Sequence, residues 1–114
     1  MKIHHLALKV QDVETCAKFY QDILKLKLIK EQAKEEQLYS KWFDCDGSIL
    51  MIEREEGLAA NNGFVITLEI ELKDRPSWIE WLHQSGVEIK HQTEHTLYFQ
   101  DPEGNRLALS HYTE

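Results

Sequence analysis

No apolar run in the chain approaches the ~20 residues that a membrane-spanning helix needs, so no membrane partner is expected. The first residues also lack the uninterrupted apolar stretch of a secretory leader. Cysteine is scarce, with two in 114 residues, which excludes a small secreted scaffold framed by disulfides. Cys16 falls on the apolar side of an expected helix and Cys45 lies in an Asp44-Cys45-Asp46-Gly47 turn. These absences imply a reduced, cytoplasmic setting. An excess of positive charge is missing as well, for 13 Lys and Arg stand against 20 Asp and Glu, a formal net charge of −7. Binding to nucleic acid rests on cations that neutralise phosphates, so no such partner is expected. Lys25, Lys27 and Lys30 read as a solvated strand edge.

What is present is the balance of an ordinary soluble globular protein, 42% hydrophobic and 29% charged, at the length of one small domain. From Lys2 to Val10 the residues alternate, with Leu6, Leu8 and Val10 on one side and His5, Ala7 and Lys9 on the other. Period-two alternation predicts a half-buried strand. Asp12 is placed to cap a helix and Glu14 falls in its first turn, where the macrodipole favours a carboxylate. Val13, Cys16, Ala17, Tyr20, Ile23 and Leu24 follow at helical spacing and predict one buried stripe. Strands are expected at 26–32, 38–43 and 48–54. Residues 55–62 break the pattern and read as a linker.

The same order then returns. Val65-Ile66-Thr67-Leu68-Glu69-Ile70-Glu71-Leu72-Lys73-Asp74 answers Ile3-His4-His5-Leu6-Ala7-Leu8-Lys9-Val10-Gln11-Asp12. Placing Asp74 on Asp12 sets an offset of 62 residues (74 − 12) and puts Thr67 opposite His5. A strand over 64–72 is expected to lead to Asp74 as cap. Pro76 is tolerated in the first turn, Trp78, Ile79 and Leu82 give the helix its apolar face, and Gly86 suits the stop. Trp81 sits off that stripe. Strands follow at 87–93, 96–99 and 106–112. Each half places an acidic, glycine-terminated turn before its last strand, Asp44-Cys45-Asp46-Gly47 and Asp101-Pro102-Glu103-Gly104. The predicted architecture is α+β, two βαβββ modules over 1–54 and 63–114 within one domain spanning 1–114. A module of this size cannot bury a sheet face alone, so the two sheets are expected to join and share a core.

His5-Leu6-Ala7-Leu8-Lys9-Val10-Gln11-Asp12, Lys18-Phe19-Tyr20-Gln21-Asp22-Ile23-Leu24 and Phe99-Gln100-Asp101-Pro102-Glu103-Gly104-Asn105-Arg106 resemble the vicinal oxygen chelate superfamily. That superfamily includes glyoxalase I, bleomycin-resistance proteins and extradiol dioxygenases. The resemblance covers nearly the whole chain and implies a curled mixed sheet forming a cup, helices outside, and a homodimer. It also implies metal ligands on the first and last strands of the modules. His5 matches the first-strand ligand. Thr67 stands where a second-module histidine is expected, Ala108 replaces the usual carboxylate after the Asp-Pro-Glu-Gly-Asn turn, and Met51 holds the corresponding place in the first module. Glu53 lies two residues on, with the same strand parity.

If Leu8, Val10, Ile70 and Leu72 pack under the helices, then His5, Ala7, Lys9, Thr67, Glu69 and Glu71 face away. The same parity puts Leu107 and Leu109 in the core, and offers the cup Trp42, Met51, Glu53, Tyr98, Arg106, Ala108 and Ser110. Aromatics with a few polar groups suit a small-molecule site. His5 has three readings: a metal ligand with Glu53, a general base oriented by a carboxylate, or a partly buried ring bonded to Glu53 or a tyrosine hydroxyl. His4 is expected on the opposite face. His83, His91, His95 and His111 show no ligand spacing, and most of them are expected at the surface.

The first functional reading is a protein that binds a small organic molecule by stacking on Trp42 and Tyr98. His5, Glu53, Thr67 and Arg106 give polar contacts, with Met51, Glu69, Ala108 and Ser110 around them and no assigned cofactor. The second is a metal-dependent lyase, isomerase or dioxygenase in which His5 and Glu53 are catalytic and hold Zn, Ni, Fe or Mn as a Lewis acid. The third is an antibiotic-sequestering protein whose acidic cup, Glu53, Glu69 and Glu71, suits a cationic drug.

Overall fold

Alternation along the first strand becomes alternation of burial only in its second half in the computed structural model, which describes residues 1–57 and 63–113. The chain divides into two units, Met1–Ala59 and Ala60–Glu114. In the first unit, β1 (His5–Val10) buries Leu8 and Val10 and leaves His5 and Ala7 exposed, but Leu6, expected on the buried side with them, is also exposed at the start of the strand. Asp12 caps α1 (Val13–Lys18), accepting the Thr15 amide at 3.1 Å and the Thr15 hydroxyl at 2.8 Å. Those bonds, the amide first, hold the Asp12 carboxyl below its ordinary pKa.

The helix expected to run on to Leu24 widens instead into a π-turn over Phe19–Ile23, closed by the Leu24 amide on the Phe19 carbonyl at 3.2 Å. The wider turn accommodates two consecutive aromatics inside, with Phe19 and Tyr20 both buried and their ring centroids 5.4 Å apart. Strands β2 (Lys27–Lys34), β3 (Gln37–Cys45) and β4 (Ser48–Arg54) complete a sheet ordered β1-β4-β3-β2, in which β1 and β4 run parallel. Its core carries Leu8, Val10, Phe43, Leu50 and Ile52 with Cys16, Ala17 and Tyr20 of the helical segment. Asp46 and Gly47, at φ of 54° and 98°, make the β3–β4 turn. The β2–β3 turn uses Glu35 and Glu36 at φ of 52° and 63° with no glycine, a conformation that costs a side chain about 1 kcal/mol per residue.

The second unit repeats the plan: β5 (Ile66–Glu69), a 3₁₀ turn (Leu72–Asp74), α2 (Arg75–Gln84), β6 (His91–Gln92), β7 (Thr96–Gln100) and β8 (Arg106–Ser110). The sheet order is β5-β8-β7-β6, again with the first pair parallel. Leu82, Leu97, Phe99, Leu107 and Leu109 are buried.

Three expectations need correction in this unit. The strand from 64 to 72 shortens to β5, because the chain turns into the 3₁₀ segment, and Leu72 is exposed rather than packed under a helix. Asp74 closes that segment with helical φ and ψ, and its side chain makes no capping bond. Arg75 ties the helix start down instead, donating to the Thr93 carbonyl at 2.7 Å and the Glu94 carbonyl at 3.0 Å. The strand expected at 87–93 is reduced to the two residues of β6.

The Asp101-Pro102-Glu103-Gly104-Asn105 turn is a hydrogen-bonded knot. Asp101 Oδ1 accepts the Glu103 and Asn105 amides, each at 2.9 Å, and Oδ2 accepts the Asn105 side-chain amide at 2.9 Å. Both residues are buried. The linker expected over 55–62 lies, from residue 58 onward, outside the described residues. Among the described residues no helix is long and apolar enough to cross a membrane.

Helix α2 ends in a double hydrogen bond, Val87 amide to Leu82 carbonyl at 2.9 Å and Gly86 amide to His83 carbonyl at 3.1 Å, with Gly86 at φ 77°. A Cβ at Gly86 would meet nothing within 4 Å. Gly86→Ala therefore destabilises through backbone conformation alone, by about 1 kcal/mol, and Gly86→Asn by less. Urea unfolding midpoints check this; an alanine variant as stable as the parent would refute the left-handed requirement.

Candidate functional site

Strand register arranges the non-core face of the first sheet in three rows. His5 lies opposite Ile49, and Ile49 opposite Asp44. Ala7 lies opposite Met51, which faces Trp42 and then Lys30. Lys9 lies opposite Glu53, which faces Ser40 and then Gln32. His5 and Glu53 thus share a face but stand four residues apart in register, roughly 13 Å at the rise of a strand.

The expected bond between His5 and Glu53 is therefore corrected. The buried Glu53 pairs with Lys9, Oε2 to Nζ at 2.5 Å. His5 is exposed, and its Nδ1 lies 3.0 Å from Nδ1 of His4 with the rings edge to face. His4 precedes β1, so strand parity does not govern it and it does not turn to the opposite face. The bond to Glu53 raises the Lys9 ammonium above its ordinary 10.5, partial burial opposes it, and the charges of Glu53, Tyr39 and Glu55 add to it. Trp42 Nε1 donates to Ser40 Oγ at 3.1 Å, Ser40 donates to Gln32 Oε1 at 3.1 Å, and Lys30 Nζ sits 4.6 Å from the Trp42 ring centroid.

On the second sheet, Thr67, Ala108, Tyr98 and His91 form one row, Glu69, Ser110 and Thr96 another, and Arg106 faces Gln100. The register brings all six expected second-module residues onto one face. Ala108, flanked by Thr67 and Tyr98, is fully buried, so it offers a ligand no surface. The Ser110 hydroxyl is 2.9 Å from that of Thr96 and accepts the Tyr112 amide at 3.2 Å, which gives it a structural role. His91 and Tyr98 hold their ring centroids 5.9 Å apart at 32°. His83 and His91 are exposed, while His95 and His111 are half-buried with ring centroids 5.4 Å apart. A cleft of about 350 Å³ opens beside β6, β7 and β8, lined among others by Lys90, His91, Tyr98, Gln100 and Arg106.

Strand register adds Ser40 beside Glu53 and His91 beside Tyr98, and shows Lys9, already expected on this face, to be the partner of Glu53. Lys90 precedes β6, and its amide donates to the Tyr98 carbonyl at 2.8 Å. For the strand residues the only sequence signal is face parity. The acidic-cup expectation is also corrected. Glu53 is paired with Lys9, and Glu71 lies beyond β5 with its carboxylate 3.3 Å from Lys73.

The donors do not fit a bound divalent metal. Catalytic zinc commonly takes three protein ligands, and among the described residues no group of three or more His, Cys, Asp or Glu could hold an ion. The two second-unit positions at which the resemblance implies ligands, Thr67 and Ala108, are neighbours across β5 and β8 and carry a hydroxyl and a methyl.

Residues 2–109 match the family described as the glyoxalase/bleomycin resistance protein/dioxygenase superfamily. The chain is 26% identical to the metallothiol transferase FosB of Staphylococcus saprophyticus, over 94% of this chain and 74% of that protein. A mutant of the fosfomycin resistance protein FosX from Listeria monocytogenes, solved with Mn(II) and 1S,2S-dihydroxypropylphosphonic acid, superposes with a TM-score of 0.85. That match has 22% identity and covers 98% of this chain and 93% of that one. A possible glyoxalase from Bacillus cereus gives a TM-score of 0.81 at 20% identity, covering 96% and 98%.

The Lys9–Glu53 pair has two measurable consequences. Lys9→Met leaves the Glu53 carboxylate buried without its partner and destabilises by about 1–3 kcal/mol, an effect that a second substitution, Glu53→Gln, partly relieves. Because the fold raises the Lys9 pKa, the stabilisation is complete below 10.5 and is lost as pH rises through the raised value. Urea unfolding across that alkaline window should show a fall in stability that Lys9→Met abolishes; equal pH slopes in both proteins would remove the pair from this account.

Proposed function

We propose that this chain, which belongs to the glyoxalase/bleomycin resistance protein/dioxygenase superfamily, binds a small organic molecule on its open sheet faces without a resident metal. The observation that carries the reading is the Thr67–Ala108 pair. The turn knot and both parallel strand pairs of the fold are kept, while these positions hold side chains that do not ligate a metal. Aromatic side chains occupy the equivalent rows of both sheets, Trp42 beside Met51 and Tyr98 beside Ala108. They supply flat apolar surface, and Thr67, Glu69 and Arg106 supply polar groups, the composition of a small-molecule seat.

In this reading His5 acts through its imidazole pair with His4 and holds no metal with Glu53, whose carboxylate keeps Lys9 in place. The proposal includes a homodimer in a reducing cytoplasm, a setting that suits Cys16 and Cys45, neither of which is in a disulfide. A second reading, metal-dependent thiol transfer to fosfomycin, is favoured by the 26% identity to FosB and opposed by the missing donors.

Metal analysis separates the two. After incubation with excess Mn(II), Zn(II) or Ni(II) and removal of free ion, the protein is expected to retain well below one metal per chain. With Mn(II) and a thiol it is expected to leave fosfomycin unmodified. Stoichiometric retention, or turnover that a chelator abolishes, would establish the second reading in place of the first.

A further inference from the structure

We propose that the ligand is a small planar organic oxyanion, a carboxylate or phosphonate carried on an unsaturated ring, seated in the cleft beside β6, β7 and β8. The inference rests on the binding reading above and adds the charge, shape and place of the ligand. Small-molecule sites span about 300–1,000 Å³, and a cleft of about 350 Å³ therefore takes one ring with one charged group rather than a large drug.

The sign of the charge follows from the lining. Lys90 and Arg106 line the cleft and, among the described residues, no carboxylate does, in a chain whose formal net charge is −7. Surface charge elsewhere therefore predicts the wrong ligand for this cleft. An arginine fork matches the two oxygens of a carboxylate or phosphonate and binds them with charge-assisted bonds. The Lys90 ammonium lies 3.1 Å from the Glu88 carboxylate, and both side chains are well exposed. Exposed pairs of this kind are weak, and an ammonium has three donors, so Lys90 serves a ligand anion beside Glu88.

The shape follows from register. Residues His91 and Tyr98 are cross-strand partners whose rings lie 5.9 Å apart at 32°, a tilted aromatic platform at the cleft wall. A planar ligand stacks there by offset contact, while Val65 adds apolar surface and Gln100, opposite Arg106 in register, adds an amide. A saturated, branched anion would lose the stacking, and a planar cation would meet Arg106 and Lys90 with like charge.

Amide chemical shifts of the full chain, titrated with benzoate, phenylphosphonate, benzylamine and benzyl alcohol, test the inference. Benzoate or phenylphosphonate should move the amides of Lys90, His91, Tyr98, Gln100 and Arg106, and the tighter of the two identifies the oxyanion. Benzylamine should leave those amides in place. Arg106→Gln should weaken the anion about tenfold, the scale of one lost charge-assisted bond. Lys90→Gln, at an exposed position that does not endanger the fold, should weaken it in the same direction. Benzylamine or benzyl alcohol moving the same amides as strongly as benzoate would overturn the oxyanion assignment and leave the binding reading standing. Benzoate binding that neither substitution weakens would overturn the cleft assignment. Silence from every probe at every amide would overturn both.

Discussion

The Asp101 carboxylate holds three hydrogen bonds in a five-residue turn, and the open face of the second sheet depends on them. By fixing where β7 turns back into β8, those bonds set Gln100 against Arg106 and Tyr98 against Ala108. Parallel pairing of β5 with β8 then places Thr67 in the same row, and β6 brings His91 to its other end. Buried donors left without an acceptor cost about 1–3 kcal/mol each. A slipped register would therefore lose this knot and turn the buried leucines Leu107 and Leu109 toward the open face. The aromatic and cationic residues of the cleft owe their positions to an acid that does not line it.

The first sheet solves the same problem with a lighter turn, Asp46 and Gly47, in which the Gly47 amide donates to Asp44 Oδ1. Its open face is organised by a short ion pair and a chain of neutral bonds from Trp42 through Ser40 to Gln32. Burying Glu53 requires a partner, since an isolated ion in the interior is costly, and Lys9 meets that need from the adjacent strand. The pairing takes Glu53 away from His5. A carboxylate that reads in one dimension as a companion to the histidine is, in the sheet, two rows distant.

Much of this was legible in the sequence. Alternation from Ala7 to Val10, the cap at Asp12, the stop at Gly86 and the repeated glycine-terminated turns each rest on local physics, and each stands where the chain implies, whereas Leu6 at the strand's start is exposed. The illegible parts depend on relations between strands. Face parity survives a shift of two residues, so the face of Glu53 could be read while its row could not. The π-turn at Phe19 and Tyr20 was hidden because apolar spacing in a short helix does not separate a turn of 3.6 residues from a wider one. Leu72 failed because the alternation of β5 continues in the letters after the backbone has left the strand. His4 failed for the corresponding reason at the other end, where parity was applied before the strand begins.

Strand β2 closes the first sheet on one side, and its side chains decide what that border permits. Lys30 leans over the Trp42 ring, Glu31 pairs with Lys41, and Lys34 covers Tyr39 at 3.7 Å. An unpaired border is an invitation to a foreign strand unless charge is placed along it. Here the cations and acids fold back on β3, capping its aromatic rings and presenting long charged stems to any chain that approaches. The Glu35-Glu36 turn adds two more charges at the corner at a conformational cost the backbone bears. Resistance to growing into larger β assemblies is thus written into the same lysines that, counted along the sequence, pass for unremarkable solvent-facing charge.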